Sequence, residues 1–497
     1  MTRFILWVCL VMGLGALGAA ATLRAPDTAP LNDIAPASGT PYEITTLDTV
    51  RAVKKPALPD ISNDTVASVR AALPVLAPGT VTVQEVSSLT LGIRRDIHLF
   101  AERQQRFNPQ AIVIESGTYD LATLFDAVAS PALLARGQAG DYRLHAPLMI
   151  AAGAALVIGN ETRLYLDKDD GALIANFGRL DIIGAQVAGW DFAKKGPAVF
   201  TGHSYFRPYI VSLCGSTMNL AGSHFAHLGY FDTKSYGVVY TSCDDIIYGS
   251  TDRSGAAGRV IGNRFDDIYY GFYSYESSGI RVIANQYVDN VVYGIDPHDR
   301  SKNLIIAKNV VRGAKQKHGM ILSRDVSDSY IFDNVSEDNA GAGLILDRAS
   351  RDNIISGNIL RRNGGDGMAF YESGNNLSFG NTMTDNRGSG LRIRNSVGII
   401  SRHDVISEND KGGVQAYAID LLAAGAERDI KQDPYKQFTG ADIAQAEMVA
   451  NDKADITVKN IQEMRLSNLK RFQSPRKFIA GDVEIQESGA MMIRRAD

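Results

Sequence analysis

Helical periodicity is scarce in this 497-residue sequence. Glycine, asparagine and β-branched residues interrupt the stretch from 263 to 413 so often that no apolar face recurs every 3.6 residues, which argues against a helical repeat protein. An excess of one charge is also absent: 51 basic residues face 55 acidic ones, and the net charge of −4 gives no indication of nucleic-acid binding. Long apolar runs are confined to the amino terminus, so the mature chain is predicted not to cross a membrane.

The amino terminus has the composition of an export signal. Residues 1–21 contain a basic residue at Arg3, an apolar run that begins at Phe4, and small residues at 19–21. This pattern predicts a cleaved secretory signal peptide, with an uncleaved membrane anchor as the alternative.

A repeat of 22 to 25 residues occupies the middle of the chain. Each copy has an asparagine after one short apolar run and a glycine at the start of another. The asparagines of this column are Asn263, Asn285, Asn309, Asn334, Asn358 and Asn381. The glycines are Gly271, Gly294, Gly319, Gly343, Gly367, Gly390 and Gly413. Repeats of this length that hold short β-branched runs are typical of a solenoid.

These features predict an all-β fold, a right-handed parallel β-helix. One copy cannot bury its own apolar face, so successive copies must stack as coils about 4.8 Å apart, the spacing of paired strands. The recurring Gly and Asn are expected at corners that need positive φ, and stacked Asn side chains are expected to bind buried backbone groups there. Cys214 and Cys243 fall near one corner of successive coils, where an oxidising compartment would allow a disulfide.

Outside the regular repeat, the sequence predicts a cap at each end of the solenoid. Residues 22–63 are rich in proline and are expected to form an extended lead-in. Residues 64–140 are expected to give the first strands and an amphipathic helix within Thr123–Ala135 that covers the first edge. The β-helix should span residues 141–420, with an inserted loop at Asp244–Gly258. Residues 421–497 should hold the last coils and a carboxy-terminal cap, including a short helix at Ala441–Asp452.

Counting from each column glycine places residues of neighbouring coils side by side. Four positions after glycine stand Tyr275, His298, Ser323, Asp347 and Tyr371. Five positions after it stand Glu276, Asp299, Arg324, Arg348 and Glu372. His298 and Arg324 therefore face one side from neighbouring coils. A solvated face with paired charges explains Glu276 and Glu372, but it explains less well the Asp-Pro-His-Asp at 296–299, which interrupts a run that is apolar in several other coils. That segment is the predicted functional site.

Basic residues are concentrated beside this site. The segment from Arg300 to Arg324 contains seven basic residues and no acidic residue. The basic residues are Arg300, Lys302, Lys308, Arg312, Lys315, Lys317 and Arg324. This band predicts a groove for a polymer of carboxylates, although a solvated basic face is the alternative for some of its members. The residues predicted to contact the polymer are Arg300, Lys302, Lys317, His318 and Arg348, with Tyr275 and Tyr293 stacking on sugar rings.

On a polymer of uronates these residues have a specific chemistry. The proton at C5 lies α to the carboxylate, and its removal gives an enediolate-like dianion. Neutral His298 is a workable base near pH 7, Asp296 or Asp299 would fix its tautomer, and Arg324 would stabilise the developing charge. Reprotonation on the opposite face inverts C5, whereas expulsion of the 4-linked sugar is a β-elimination. The residues therefore leave open an epimerase, a lyase, and a non-catalytic scaffold that binds polymer during export.

Residues 296–301 (DPHDRS) and 323–325 (SRD) resemble the periplasmic mannuronan C5-epimerases of alginate-producing bacteria, the AlgG family. The likeness covers most of the mature chain. It implies an isomerase that converts D-mannuronate to L-guluronate in polymannuronate, with His298 as the base, Arg324 neutralising the carboxylate and water as the opposite-face acid. It also implies a place in the periplasm, beside other proteins of the alginate export assembly.

The sequence gives no pattern for a metal or another cofactor. The GGxGxD repeats of secreted calcium-dependent epimerases occur only as one poor match at Gly364–Gly367, and one copy does not make a calcium array. His224 and His227 are three residues apart in a strand-and-turn context without nearby cysteines, so they are expected to be ordinary residues. We therefore expect an enzyme that needs neither a metal nor a cofactor.

Overall fold

The computed structural model describes residues 35–36, 42–49, 51–86, 108–138, 140–159, 161–232, 234–243, 254–424, 429–473 and 477–496. Over these residues the chain winds into a right-handed parallel β-helix of about 13 turns. Three sheets of fifteen strands each form its sides. The predicted fold class is therefore confirmed. The predicted signal peptide, part of the lead-in and most of the loop at Asp244–Gly258 lie outside the described residues.

The strands fall into a front, a side and a back sheet. The front sheet comprises Val81–Glu85, Gln110–Ile114, Leu148–Ile150, Ile174–Asn176, Ile210–Leu213, Gly237–Thr241, Tyr270–Tyr275, Tyr293–His298, Met320–Ser323, Leu344–Asp347, Met368–Tyr371, Leu391–Arg394, Val414–Tyr417, Ala454–Lys459 and Lys477–Gly481. The side sheet comprises Leu134–Arg136, Asp141–Leu144, Arg163–Asp167, Gln186–Asp191, Gly196–Pro197, His224–Ala226, Arg264–Asp266, Gln286–Val288, Val310–Arg312, Val335–Glu337, Ile359–Arg361, Thr382–Thr384, Val405–Ser407, Glu447–Val449 and Lys470–Phe472. The back sheet comprises Tyr42–Thr46, Thr118–Asp120, Ala155–Gly159, Arg179–Ile183, Thr217–Ala221, Arg259–Ile261, Arg281–Ile283, Ile305–Ala307, Tyr330–Phe332, Ile354–Ser356, Leu377–Phe379, Ile399–Arg402, Gly440–Ala444, Glu463–Ser467 and Met491–Arg495. Ala35–Pro36 and Val483–Glu484 form a separate antiparallel pair.

The core is a set of apolar columns along the solenoid axis. In the front sheet Ile295, Met320, Leu344 and Met368 pair in register on successive strands, and all four are completely buried. Truncating one such side chain to alanine typically costs about 2–5 kcal/mol. This packing fixes the register and therefore determines which residues of each strand face outward.

The asparagine column forms the ladder that the sequence predicts. The side-chain oxygens of Asn285, Asn309 and Asn334 each accept the backbone N–H of the equivalent asparagine one coil earlier, at 2.9–3.0 Å. A second ladder, Asn339, Asn363, Asn386 and Asn409, makes the same bonds at another corner. Both ladders are buried, so they satisfy backbone groups that water cannot reach.

The expectation that the column glycines and asparagines adopt positive φ is wrong. The residues directly before the asparagines adopt it instead, as at Ala284 (56°) and Lys308 (56°). The glycines are needed because neighbouring coils approach closely: a Cβ on Gly294 would lie 2.2 Å from Cγ1 of Val311 and 2.9 Å from the carbonyl oxygen of Gly319. Close packing, and not turn conformation, accounts for the glycine column.

Both ends of the solenoid are covered. Helix α1 (Val66–Ala71) lies on the back sheet, and helix α2 (Leu121–Val128) starts at an Asp120 capping box and buries its apolar side at the first coils. Helix α2 ends before Pro131, so only the first part of the predicted helical stretch is helical. At the other end, Tyr42–Thr46 pairs antiparallel with Met491–Arg495. Neither helix approaches the length needed to span a membrane, and no other helix of the described residues does.

Two further predictions concern the flanking coils. The predicted disulfide between Cys214 and Cys243 is present. The predicted helix at Ala441–Asp452 is wrong, because these residues form the strands Gly440–Ala444 and Glu447–Val449. Their Ala, Glu and Met favour a helix locally, but stacking on the preceding coil buries alternate residues in the core and outweighs that preference.

Candidate active site

Residues of the strand Tyr293–His298 line a cavity of about 370 Å³, here called the front cavity. His298 pairs with Tyr275 on one neighbouring strand and with Ser323 on the other, as the glycine count predicts. The predicted residues that line the cavity are Tyr275, Tyr293, Asp296, His298, Asp299, Arg324 and Arg348. Stacking of four successive coils therefore assembles the candidate site.

Asp299 connects the histidine to the arginine. Its carboxylate pairs with Nδ1 of His298 and lies 3.4 Å from Nη1 of Arg324. Burial opposes ionisation of Asp299, but the hydrogen bond from His298 and the charges of His298, Arg324 and Lys234 outweigh it and lower the pKa of this carboxyl. Asp299 is therefore an anion, and the sequence alternative in which Asp296 holds the histidine is not the arrangement observed.

Asp296 is in the opposite state. Its side chain is buried, and its Oδ1 has no hydrogen-bond partner within the described part of the chain. Burial, with the negative charges of Asp299 and Asp347, raises the pKa of Asp296 well above its usual value. A neutral carboxyl group, able to donate a hydrogen bond, therefore faces the front cavity.

Arg324 is held by a carboxylate that the sequence did not indicate. Its Nη2 donates to Oδ2 of Asp433 at 2.9 Å, and its Nε lies 2.9 Å from Oδ1 without directing its N–H at it. Nε of Arg348 lies 3.8 Å from the same Asp433 and 3.3 Å from Asp347. Burial opposes the charge of Arg324, but the carboxylates of Asp433 and Asp299 outweigh it and raise its pKa.

Aromatic rings form one wall of the front cavity. The rings of Tyr236, Tyr270, Tyr293 and His318 follow one another on successive coils, with centroids 4.7, 5.1 and 5.8 Å apart. Burial is the main reason that the pKa of Tyr236 is raised to about 12, so its phenol stays protonated. Tyr270, Tyr293 and His318 each directly precede a column glycine, and Tyr236 precedes Gly237, the equivalent of Gly271 one coil earlier. Sequence reasoning could have used this signal for Tyr236 and Tyr270.

A lysine also reaches this wall. Nζ of Lys234 lies 2.9 Å from the ring centroid of Tyr275 and 5.7 Å from that of Tyr273, and both rings line the front cavity. Such a cation–π contact is worth about 0.5–2 kcal/mol. Lys234 belongs to no repeat column, so the spacing of the repeat does not identify it.

Four residues predicted to contact polymer are not among the described residues that line the front cavity. Arg300 donates to Glu276 from a half-exposed position, and Lys302 lies at the corner towards the back sheet. Lys317 is exposed. Nδ1 of His318 accepts the N–H of Ala342 at 2.9 Å, and burial together with Lys317 lowers the pKa of His318 to about 4. Their contact with polymer stays a prediction.

The predicted basic band does not form one surface. Lys308 follows a back-sheet strand, Arg312 ends a side-sheet strand, and Lys315 binds Asp267 at 2.7 Å. The band is continuous in sequence but wraps around the coil, because one coil uses all three sheets. Only Arg324 of its seven basic residues lines the front cavity.

Three histidines outside this site, His145, His224 and His227, lie beside carboxylates. His224 and His227, predicted to be ordinary residues, lie 2.6 Å from Asp266 and 3.1 Å from Asp267. Over the described residues, one group is arranged as a metal site could be: Nδ1 of His145 lies 2.7 Å from Asp167 and 3.1 Å from Asp170. This group is separate from the front cavity, and the prediction that no metal is required stays a prediction.

Known proteins share both the fold and the sequence. A family model described as a right handed beta helix region matches residues 253–406. A solved structure described as the periplasmic alginate epimerase AlgG superposes with a TM-score of 0.78 at 33% identity, covering 84% of this chain and 100% of that one.

Curated relatives extend the match beyond the repeat. The mannuronan C5-epimerase of Pseudomonas aeruginosa is 36% identical over 421 residues, 83% of this chain and 76% of the relative. The mannuronan C5-epimerase AlgG of Azotobacter vinelandii is 34% identical over 433 residues, 86% of this chain and 81% of the relative. With identity at this level over most of both chains, the chain belongs to the mannuronan C5-epimerase family.

Proposed function

We propose that the protein converts D-mannuronate to L-guluronate within polymannuronate, with His298 as the base that removes the C5 proton. The observation that carries this proposal is the chain of contacts from His298 through Asp299 to Arg324 on one wall of the front cavity. A base and a cation supplied by adjacent coils can act on the same sugar, the base at C5 and the cation at the carboxylate bonded to C5.

Asp299 determines which nitrogen of His298 is basic. An ionised carboxylate at Nδ1 requires a proton there, so the lone pair of the neutral imidazole is on Nε2. Nε2 is then the atom that accepts the C5 proton, and the anion beside the ring stabilises the imidazolium that forms. General base catalysis of this kind typically contributes about 10²–10⁴-fold in rate.

The enediolate-like intermediate carries two negative charges at the former carboxylate. Arg324 and the neutral carboxyl of Asp296 both face the cavity, one as a cation and one as a hydrogen-bond donor. A neutral donor is suited to this position because it stabilises the dianion without adding a negative charge that would repel the substrate. Water reprotonates C5 from the opposite face, which inverts the configuration without breaking the polymer.

Residues 1–21 and the solved relative support a periplasmic location, because the first have the composition of an export signal and the second is described as periplasmic. The polymeric substrate follows from the activity named for the relatives. Partners in an export assembly stay a prediction from the resemblance.

The test is the conversion of polymannuronate by the purified chain in D₂O, followed by proton NMR. We expect guluronate signals and deuterium at C5 with the wild type, and a loss of about 10²–10⁴-fold with His298→Asn. His224→Asn is the matched control, since it removes an ion-paired histidine of the side sheet and should keep activity. Ultraviolet absorbance of an unsaturated ring without guluronate would establish a lyase instead, and polymer binding without deuterium incorporation would establish a scaffold.

A further inference from the structure

The segment between the strands Val414–Tyr417 and Gly440–Ala444 replaces a short corner with a long excursion of the chain. It leaves the solenoid at Ile419, which exchanges hydrogen bonds with Asn395 on the previous coil. Its described residues 429–439 place Asp433 against Arg324. Arg324 follows the strand Met320–Ser323, which lies four strand pairings before Val414–Tyr417. A residue far away in sequence thus reaches the front cavity.

The carboxylate of Asp433 lies between two cations of adjacent coils. It is 2.9 Å from Nη2 and Nε of Arg324 and 3.8 Å from Nε of Arg348, and its side chain is only 5% exposed. Arg324 in turn lies between two carboxylates, because its Nη1 is 3.4 Å from Asp299. The guanidinium is therefore held at different nitrogens by two carboxylates, at Nη1 by Asp299 and at Nε and Nη2 by Asp433.

Removing Asp433 would change the contact between Arg324 and Arg348 and also the contact between Arg324 and Asp299. Arg324 and Arg348 would repel each other without an anion between them, and Asp299 would be the carboxylate left to Arg324 among these contacts. A full ion pair between Arg324 and Asp299 would compete with the hydrogen bond that Asp299 accepts from His298. The guanidinium would move towards the base and away from the substrate carboxylate.

We propose that Asp433 is a positioning residue that holds the Arg324 guanidinium in place for the uronate carboxylate and leaves Asp299 to His298. This inference rests on the proposed function. It assigns to Asp433 a part in the epimerase site that the repeat itself does not supply. Misplacing a reacting group by about 1 Å can cost on the order of 10²-fold in rate, so we expect the removal of Asp433 to lower kcat.

The experiment compares Asp433→Ala and Asp433→Asn with the wild type by NMR rates over a range of polymannuronate concentrations. We expect Asp433→Ala to lower kcat by about 10–100-fold while KM changes by less than about threefold. Asp433→Asn keeps an acceptor for Nη2 of Arg324, so its kcat should lie between those of the wild type and Asp433→Ala. Sodium formate should restore part of the kcat of Asp433→Ala, whereas sodium chloride at the same ionic strength should not.

Asp338→Ala is the matched control, because Asp338 forms a 2.9 Å ion pair with Arg362 outside the front cavity. It should leave kcat unchanged. A wild-type kcat for Asp433→Ala would overturn the proposal, as would a lower KM at unchanged kcat, which would mean that Asp433 competes with the polymer for Arg324. If Asp433→Ala does not fold, a wild-type kcat for Asp433→Asn overturns it equally. Absence of guluronate with the wild type would refute the proposed function itself and is read in the same assay.

Discussion

Two aspartates three positions apart, Asp296 and Asp299, have opposite charge states in the same site. Asp299 lies at the corner, where His298 and Arg324 supply positive charge and hydrogen bonds. Asp296 points outward from the middle of the strand, beside tyrosine rings and two other carboxylates. The same side chain is therefore an anion in one position and a neutral acid in the other, because the surroundings differ.

The neutral state of Asp296 predicts that the enzyme tolerates its substitution by asparagine. Asparagine has the shape of a protonated carboxyl and can still donate a hydrogen bond, so Asp296→Asn should keep epimerase activity within about tenfold of the wild type. Asp296→Ala removes the donor and should lose roughly 10²–10³-fold. Initial rates by NMR decide the matter: equal losses in both variants would mean that the reaction needs the ionised form of Asp296.

The raised pKa of Asp296 also predicts a pH-dependent stability. An unfolded Asp releases its proton near pH 4, whereas folded Asp296 keeps it to a much higher pH. Between these values the folded state binds one more proton than the unfolded state, so the free energy of unfolding falls by about 1.4 kcal/mol per pH unit. Asp296→Asn removes this dependence. Its Tm relative to the wild type should therefore rise as the pH increases above the ordinary pKa of an aspartate, about 4, and a constant difference would contradict the raised pKa.

At the scale of the element, the sequence predicts the features that recur in every coil. The outward neighbours of His298 follow from a glycine in every coil, so strand pairing and the placement of Arg324 beside Asp299 are readable from spacing alone. The second asparagine ladder recurs at a similar spacing and was readable from the sequence in the same way, although Ala314 takes the asparagine position one coil before it. Asp433 and Lys234 belong to excursions from the coil without a counterpart in other coils, so no internal comparison could place them.

The asparagine ladder should be a major source of local stability. The side chain of Asn334 accepts two hydrogen bonds from Asn309 and donates to the carbonyl of Ile306, all in buried positions. Asn334→Ala leaves these groups without partners and should cost about 3–5 kcal/mol, at about 1–3 kcal/mol for each unsatisfied group. Urea unfolding measures the loss.

Gln286→Ala is the comparison for this ladder. It removes an amide that only accepts from Arg264 on the exposed surface of the side sheet, so it should change stability by less than about 0.5 kcal/mol. Similar urea midpoints for Asn334→Ala and Gln286→Ala would show that water, or a relaxation of the surrounding coils, replaces the buried hydrogen bonds of Asn334.

At the scale of the whole molecule, the lead-in connects the last coil to the early ones. Tyr42–Thr46 pairs with Met491–Arg495, and Leu58 and Ile61 then pack on the outer face of the back sheet together with helix α1. Arg281 holds this segment through Asp64 at 2.8–2.9 Å. The sequence indicates an extended covering segment, but its proline-rich composition contains nothing that selects the far end of the solenoid as its partner.

This connection predicts how the last strand is protected. Met491–Arg495 pairs with Glu463–Ser467 on one side and with Tyr42–Thr46 on the other, so removal of the latter exposes a row of unpaired backbone groups. A chain that begins at residue 50 should therefore lose hydrogen-exchange protection at Met491–Arg495, whereas a chain that begins at residue 40 should keep it. Exchange measurements on both chains make the test. Equal protection would show that the last strand holds its place through the core contacts of Met491 and Ile493 alone.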